Sequence, residues 1–333
     1  MARITVLGAG GFGISLAVTA FGAGHDVTVW SAFSEELDEI RRDGEQKQKL
    51  PGVPVPAGIK LNADISCVGG SDIVIFGVPS TFVRSTAKLA APYITDKMIV
   101  VNSGKGLESV SNKRLSVVLG EEIANAPIVA LSGPSHAEEL AVRVPTTITA
   151  ASTVRSAAET VQDVLSTSFF RIYLNDDIIG CELGGALKNI IALSAGICDG
   201  LGYGDNTKAA LMTRGMYEIA KLGMALGAKC ETFSGLTGLG DLIVTCCSMH
   251  SRNRRAGILI GQGIAPDEAV ERIGTVEGFH CCRVAYELNQ TVGVDMPITT
   301  MLYKILFEGK DISAAVPELM SRPHRHEVED YWV

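Results

Sequence analysis

The N-terminal segment sets the strongest limit on what this chain can become. ITVLG, from Ile4, is an apolar β-branched run that enters GAGGFG, residues Gly8, Ala9, Gly10, Gly11, Phe12 and Gly13, and ISLAVTAFGAG follows at helical spacing. Strand, G-x-G-x-x-G turn and helix in that order form the fingerprint of a dinucleotide-binding βαβ unit. Gly8 permits the tight turn, Gly10 lets the backbone approach a pyrophosphate, and Gly13 lets helix and sheet pack closely. The pyrophosphate is expected on the helix N-terminus, where free N–H groups and the helix dipole favour an anion. The apolar run behind Arg3 imitates a signal peptide, but its glycines fit strand, turn and helix better.

The end of the second strand normally tells NAD from NADP, through an acid for the ribose 2′-hydroxyl or a basic group for the 2′-phosphate. Trp30, Ser31, Ala32 and Phe33 carry neither charge, and the Ser31 hydroxyl suits both cofactors, so NAD and NADP both remain open.

Further β-branched runs alternate with helical patterns: VTVW at Val27, DIVIFGV at Asp72, MIVVNS at Met98, IVALSG at Ile128, TTITAAS at Thr146 and FRIYLN at the Phe169–Phe170 pair. Such alternation predicts an α/β fold with a mostly parallel Rossmann-type sheet covered by helices on both faces. Beyond Asn175-Asp176-Asp177 the alternation stops. Helical patterns run through ELGGALKNIIALSAGICDG, TKAALMTRGMYEIAKLGMALG, PDEAVERI and the stretch from Arg283 to Leu288. We therefore divide the chain into a dinucleotide-binding domain, residues 1–176, and an all-helical substrate-binding and catalytic domain, residues 177–333. EQKQKLPGVPVPAG, from Glu45 to Gly58, reads as a polar, mobile connection.

A net charge of −8, with only Arg252, Arg254 and Arg255 clustered, argues against nucleic acid as a partner. The eight cysteines show no CxxC pair and no Cys/His ligand spacing, which points to reduced thiols in the cytoplasm and to no metal site. No apolar segment of membrane-spanning length lacks interruptions, so no membrane span is expected.

ELGGALKNIIALSAG, residues 182–196, raises a chemical question, because a helix suited to burial carries Lys188 in its middle. A buried ammonium must be paired, neutralised or used. On the same helical face stand Gly184, Gly185, Ile191 and Ala192, small enough for the most part to leave room for a ligand. The plainer alternative is a lysine that snorkels to the surface or pairs with Glu182 or Asp199.

Taken together, GAGGFG, GVPS at Gly77, NSGKGLE at Asn102, LSGPSHAEE at Leu131, the long segment from Glu182, TFSGLTGLGDLIVTC at Thr232, SRNRRAG at Ser251 and VEG at Val276 resemble the bacterial-type NAD(P)-dependent glycerol-3-phosphate dehydrogenases over nearly the whole chain. That family joins a Rossmann domain to an all-helical domain and interconverts dihydroxyacetone phosphate and sn-glycerol 3-phosphate for glycerophospholipid synthesis. The resemblance implies that Lys188 is the proton-exchanging catalytic base, that Lys105 is a second lysine near the carbonyl and cofactor, and that Asp241 and Thr245 support the catalytic lysine. It implies substrate contacts at Gly133, Ser135, Ser251, Arg252 and Asn253 together with Lys105, Lys188 and Asp241. Cofactor contacts are implied at Gly8, Gly10, Gly11, Phe12, Gly13, Ser31, Phe33, Lys105, Ala137, Arg252 and Glu277. A homodimer through the helical domain is also expected. Many members carry an Arg or His just after the second strand, where Ala32 and Phe33 stand here, at the position that meets a 2′-phosphate.

The residue types suit that chemistry. Reducing a ketone builds negative charge on its oxygen, and an ammonium supplies both the charge and the proton. Burial or a second cation would lower the lysine's pKa enough for exchange near neutral pH. Asp241 and Thr245 stand i, i+4 and share a face if GDLIVTC is helical; an acid at a helix start is the bland alternative. SRNRR offers a guanidinium fork and an amide to a phosphate, and its bland alternative is a solvated basic loop. GKG at Gly104 lacks the P-loop spacing, which excludes ATP binding of that kind. His136 lies in SGPSH but is more simply structural, and His324 and His326 read as a solvated tail rather than metal ligands. Two competing functions share the turn at Gly8: a β-hydroxyacid dehydrogenase, which would need a carboxylate site, and a dinucleotide sensor without turnover, which would have no use for Lys105, Lys188 and Asp241.

Overall fold

The structure is a computed structural model that describes residues 1–324, 326 and 327. Among the described residues ten strands form: β1 (Arg3–Leu7), β2 (Asp26–Trp30), β3 (Glu45–Gln46), β4 (Leu50–Pro54), β5 (Lys60–Asn62), β6 (Ile73–Phe76), β7 (Ile99–Asn102), β8 (Ile128–Ser132), β9 (Thr146–Ala151) and β10 (Phe170–Asn175). Eight of them make one sheet in the order β10-β9-β8-β7-β6-β1-β2-β5, parallel throughout except where β9 runs against β8. The expected mostly parallel sheet is therefore present. Its central strands are buried on both faces: Val6, Ile73 and Ile75 pack with Ile14 and Val129 on one side, while Leu7, Val74 and Phe76 pack with Val83, Val100 and Leu115 on the other.

EQKQKLPGVPVPAG is not a loose connection. It folds as the β3–β4 hairpin, because Leu50 and Val53 of β4, with Ile59 just beyond it, bury their side chains against the sheet's core. The Lys49 carbonyl of this hairpin presses on the glycine turn so closely that a Cβ at Gly11 would sit 2.6 Å from its oxygen.

After β10 the chain becomes helical. Asp177 caps the next helix, accepting from Gly180 N at 2.8 Å, and Ile178–Gly200 then runs as the buried axis of the second half. By length and composition that helix could cross a membrane, with mean hydropathy 1.4, but 94% of the window lies buried inside the fold. Around it pack Asp205–Ala225, Arg252–Gly261, Glu277–Val292 and Pro297–Phe307. The tightest approach is to Arg252–Gly261, where Gly196 and Gly200 face Gly257 and Gly261 so closely that a Cβ on Gly196 would lie 2.1 Å from Arg254 O. Glycines at that i, i+4 spacing let two helix backbones touch.

The two halves are joined by buried polar contacts. Glu182, near the start of the axial helix, accepts from Ser116 N and from Arg114 Nη1, both at 2.7 Å, and burial pushes its carboxyl up while Arg114 and Ser116 oppose that shift. Thr237 donates its hydroxyl within reach of Ser132 Oγ at 2.6 Å and Cys181 O at 2.7 Å, tying the end of β8 to the helical half.

Replacing Gly196 with Ala forces these helices apart and is expected to cost about 3 kcal/mol in urea denaturation. Gly120→Ala, where the added methyl would meet only Ile128 Cδ1 at 3.6 Å on an ordinary helix, should be neutral or stabilise by up to about 1 kcal/mol.

Candidate active site

The carboxyl ends of β1, β7 and β8 share one edge of the sheet, where loops of a parallel sheet ordinarily bind ligands, and the segments leaving β7 and β8 meet the axial helix. The first holds the glycine turn. Gly8 has φ +119°, a conformation that favours glycine, and a Cβ there would meet Gly77 at 2.9 Å. An added Cβ on Gly13 would lie 2.3 Å from Gly8 O, whereas on Gly10 it would have only Gly77 O nearby, at 3.9 Å. Gly10 thus opens the turn, and the first helical bond, Ile14 N to Gly10 O at 2.9 Å, leaves the amides of Gly11, Phe12 and Gly13 ahead of it. This cradle fits a pyrophosphate. Phe12 turns its ring toward the sheet's core, so its contribution there is its backbone.

Lys105 follows β7. Its ammonium donates to Gly133 O at 2.6 Å and Ser135 Oγ at 3.0 Å, both just beyond β8, and lies 2.9 Å from Asp241 Oδ2. Lys188, 4% exposed, donates to Asp241 Oδ1 and to Thr245 Oγ1, both at 2.6 Å. Asp241 therefore stands between two lysines from distant segments. It opens the helix Asp241–Cys247, immediately after a wide i→i+5 turn over Leu236–Gly240 closed by Gly240 N to Gly235 O at 3.1 Å. One turn later Thr245 hands its own proton to Asp241 O at 2.6 Å, leaving a lone pair for the lysine. The expected i, i+4 face of GDLIVTC is present, and Lys188 neither snorkels nor pairs with Glu182 or Asp199. Those acids serve Arg114, and Lys208 with Arg254, respectively.

The small residues beside Lys188 do not hold a cavity open. A Cβ on Gly184 would lie 2.9 Å from Thr237 O, and one on Gly185 would lie 2.5 Å from Ser132 Oγ, so protein fills that space. These glycines let the end of β8 and the turn before Asp241 close on the lysine's own helix.

Charge follows from this packing. Burial drives the Lys188 pKa down to about 8, with help from the Lys105 cation and against the pull of Asp241. For Asp241, burial works upward, but Lys105 and Lys188 outweigh it and hold the carboxylate below its ordinary pKa. Asp241 Oδ2 is buried and receives no aligned hydrogen bond among the described residues, so its contact with Lys105 is a close ion pair.

At the far end, SRNRR is not a loop. Ser251 caps the helix Arg252–Gly261, accepting from Arg254 N at 3.2 Å, and Arg252 occupies the first helical position with an exposed side chain that makes no ion pair or hydrogen bond among the described residues. A helix N-terminus with a free guanidinium beside it suits a phosphate dianion. Asn253 is buried and already engaged: Nδ2 donates to Asn189 Oδ1 at 2.9 Å, and Oδ1 accepts from Gly278 N at 2.8 Å. Asn189 in turn donates to Lys105 O at 3.1 Å, so this relay of amides leads back to the second lysine. The Glu277 carboxylate accepts from Ser80 N at 3.2 Å and Ser80 Oγ at 2.7 Å, across the two halves. Ala137 begins a short helix against Gly11. At the end of β2, Ser31 is buried, Phe33 is 65% exposed, and the Ser31 hydroxyl donates to Glu36 Oε2 at 2.8 Å. Asn189, Thr237, Ser80 and Glu36 were not singled out from the sequence; Asn189, Thr237 and Ser80 lie inside quoted motifs and were open to notice, whereas Glu36 lies in none.

His136 is half-buried with its ring 5.6 Å from that of His250, and burial, with Lys105 and Lys188, lowers its pKa, so it stays neutral near pH 7. His324 and His326 are exposed.

Residues 3–158 match the family described as NAD-dependent glycerol-3-phosphate dehydrogenase N-terminus, and residues 177–317 match its C-terminus. The chain is 49% identical to a glycerol-3-phosphate dehydrogenase [NAD(P)+] of Clostridium perfringens, over 98% of this chain and 99% of that one. It is 52% identical to the protein of the same name from Moorella thermoacetica, over 98% of each. A crystal structure of glycerol-3-phosphate dehydrogenase from Coxiella burnetii superposes with a TM-score of 0.92 at 37% identity, covering 96% of this chain and 99% of the other.

Asp241→Asn leaves two lysines without their shared counter-charge and is expected to cost about 4 kcal/mol at pH 7. A base whose folded pKa lies below its unfolded value gains stability as pH rises between the two, from about 8 toward 10.5 for Lys188. Removing the carboxylate lowers that folded pKa further. Urea denaturation should therefore show the gap between variant and parent narrowing from pH 7 to about pH 9.5.

Proposed function

The chain belongs to the NAD-dependent glycerol-3-phosphate dehydrogenase family, and from that membership we propose how its own residues carry the reaction. It is an NAD(P)-dependent oxidoreductase that interconverts dihydroxyacetone phosphate and sn-glycerol 3-phosphate. The observation that carries the residue assignment is the pair of lysines held on the one buried carboxylate of Asp241.

Lys188 exchanges the proton. In reduction its ammonium faces the carbonyl oxygen, stabilises the charge that grows there and delivers a proton to it. In oxidation the neutral amine removes the hydroxyl proton. A pKa of about 8 keeps it mostly protonated at neutral pH, yet able to release the proton. Lys105, fixed by Gly133 O and Ser135 Oγ, adds a second cation beside the same oxygen. Asp241 and Thr245 aim Lys188 without touching the substrate. Arg252, the amides that open its helix and the remaining Asn253 N–H take the phosphate, which sets the carbonyl at a fixed reach from the lysines.

When bound, the reduced nicotinamide supplies the hydride for the carbonyl carbon. The turn of Gly8, Gly10, Gly11, Phe12 and Gly13 would hold its pyrophosphate, Ser31 and Phe33 its adenosine end, and Ala137, Lys105, Arg252 and Glu277 its nicotinamide side. Residues 1–176 provide most of the cofactor site and 177–333 most of the substrate site, with Lys105, Arg252 and Glu277 serving across that divide. The cytoplasm is the assigned compartment, in keeping with eight cysteines that are all free thiols; a homodimer through the helical half and a role in glycerophospholipid synthesis rest on the family resemblance.

Nicotinamide absorbance with dihydroxyacetone phosphate tests this directly. Lys188→Ala should abolish turnover while nucleotide binding survives; loss of binding in a folded variant would contradict the assignment. For glycerol 3-phosphate oxidation, kcat/KM should rise with pH through about 8, and the reduction should fall there. Arg252→Ala should lower kcat/KM for dihydroxyacetone phosphate by roughly 100-fold and lower any turnover of unphosphorylated dihydroxyacetone far less.

A further inference from the structure

Sequence alone finds no charge at the end of β2, yet the fold brings one there. Glu36 lies in the first turn of the helix Ser34–Asp43, and its carboxylate returns to the strand end to accept the Ser31 hydroxyl at 2.8 Å. Ser31 Oγ itself accepts from Phe33 N at 3.2 Å, fixing the turn between them. On its other side Glu36 accepts from Gln46 Nε2 at 2.9 Å, and the same nitrogen donates to Ala9 O of the glycine turn at 3.1 Å. The carboxylate, 13% exposed, is thus wedged between the strand end and the pyrophosphate cradle. In a Rossmann unit that is where the adenosine ribose rests.

The surrounding charges reinforce the point. Lys49 is the cation that touches Glu36, and it is committed to that ion pair. Arg41 is bound to Asp38 and Leu61 O, Arg42 and Lys47 to Asp43, and Lys60 to Asp26. Ala32 contributes no side chain beyond a methyl, and exposed Phe33 offers a flat apolar face. A 2′-hydroxyl finds an acceptor here. A 2′-phosphate, carrying nearly two negative charges, finds a carboxylate already braced by three partners and no unpaired cation on these elements.

We propose that Glu36 makes this chain select NAD(H) over NADP(H), its carboxylate accepting the ribose 2′-hydroxyl and repelling a 2′-phosphate. The inference rests on the dinucleotide-binding role assigned above. It differs from the ordinary arrangement in that the acid is delivered from the following helix through Ser31 and Gln46, not carried by the strand end itself.

Binding, rather than turnover, tests it. Quenching of the protein's tryptophan fluorescence gives Kd for NADH and NADPH, and calorimetry compares 5′-AMP with 2′,5′-ADP, fragments that lack the nicotinamide. The native chain should bind NADH at least roughly tenfold more tightly than NADPH, the margin one poorly screened like-charge contact provides. Glu36→Gln keeps the shape, with its amide oxygen still accepting from Gln46 Nε2 and its amide NH2 donating to Ser31 Oγ in place of the present bond, so it should fold; circular dichroism checks that. It should tighten NADPH and 2′,5′-ADP severalfold while weakening NADH, and Ala32→Arg added to it should reverse the preference. Equal or tighter NADPH binding by the native chain overturns the proposal, as does an unchanged NADH-to-NADPH ratio in Glu36→Gln. Failure to bind either nucleotide would instead overturn the dinucleotide reading beneath it.

Discussion

One carboxylate organises this molecule's chemistry. Asp241 is 1% exposed and meets the ammonium groups of Lys188 and Lys105, which come from the axial helix and from the end of β7. Two cations so close, Lys188 buried and Lys105 partly so, would repel one another and lose hydration, a cost that a shared counter-charge offsets. The same arrangement leaves the trio with a surplus positive charge aimed at whatever enters, which is what a developing alkoxide needs. Stability and catalysis thus depend on the same contact.

Bringing three distant segments onto one carboxylate demands close backbone approach, and the fold provides it with missing side chains. Gly184 and Gly185 admit the Thr237 turn and the end of β8, while Gly196 and Gly200 admit the helix that begins at Arg252. The amide relay from Lys105 O through Asn189 and Asn253 to Gly278 N then links the reacting end to the phosphate end. Because these links cross between the sheet and the helical half, substrate binding at Arg252 and proton exchange at Lys188 are held at a fixed separation. That rigidity is how a phosphate remote from the carbonyl contributes to the rate.

How much of this was legible beforehand varies with the physics involved. Short-range steric demands showed clearly: the tight turn expected at Gly8 and the close packing expected at Gly13 match the φ and spacing found, and the helical i, i+4 face of Asp241 and Thr245 formed as read. Purpose was harder. Small residues around Lys188 suggested a cavity, but they are small because protein packs there, and composition cannot tell an empty space from a tight one. Gly11 yields to the Lys49 carbonyl of a hairpin whose sequence looked like a loose connection. Glu36 escaped because its effect depends on a chain reversal after β2 and on Gln46 from that same hairpin, neither of which leaves a local signal.

Burial and Lys105, against the hold of Asp241, set Lys188 for proton exchange near neutral pH, and that tuning is open to direct measurement. Its most direct test is titration of the lysine amines by nuclear magnetic resonance of chains carrying ¹³Cε-labelled lysine, with Lys188→Arg identifying the signal. One resonance, absent from that variant, should titrate with a midpoint of about 8. A Lys188 signal that stays protonated to pH 10 would contradict the account, because an amine so firmly charged could not serve as the base.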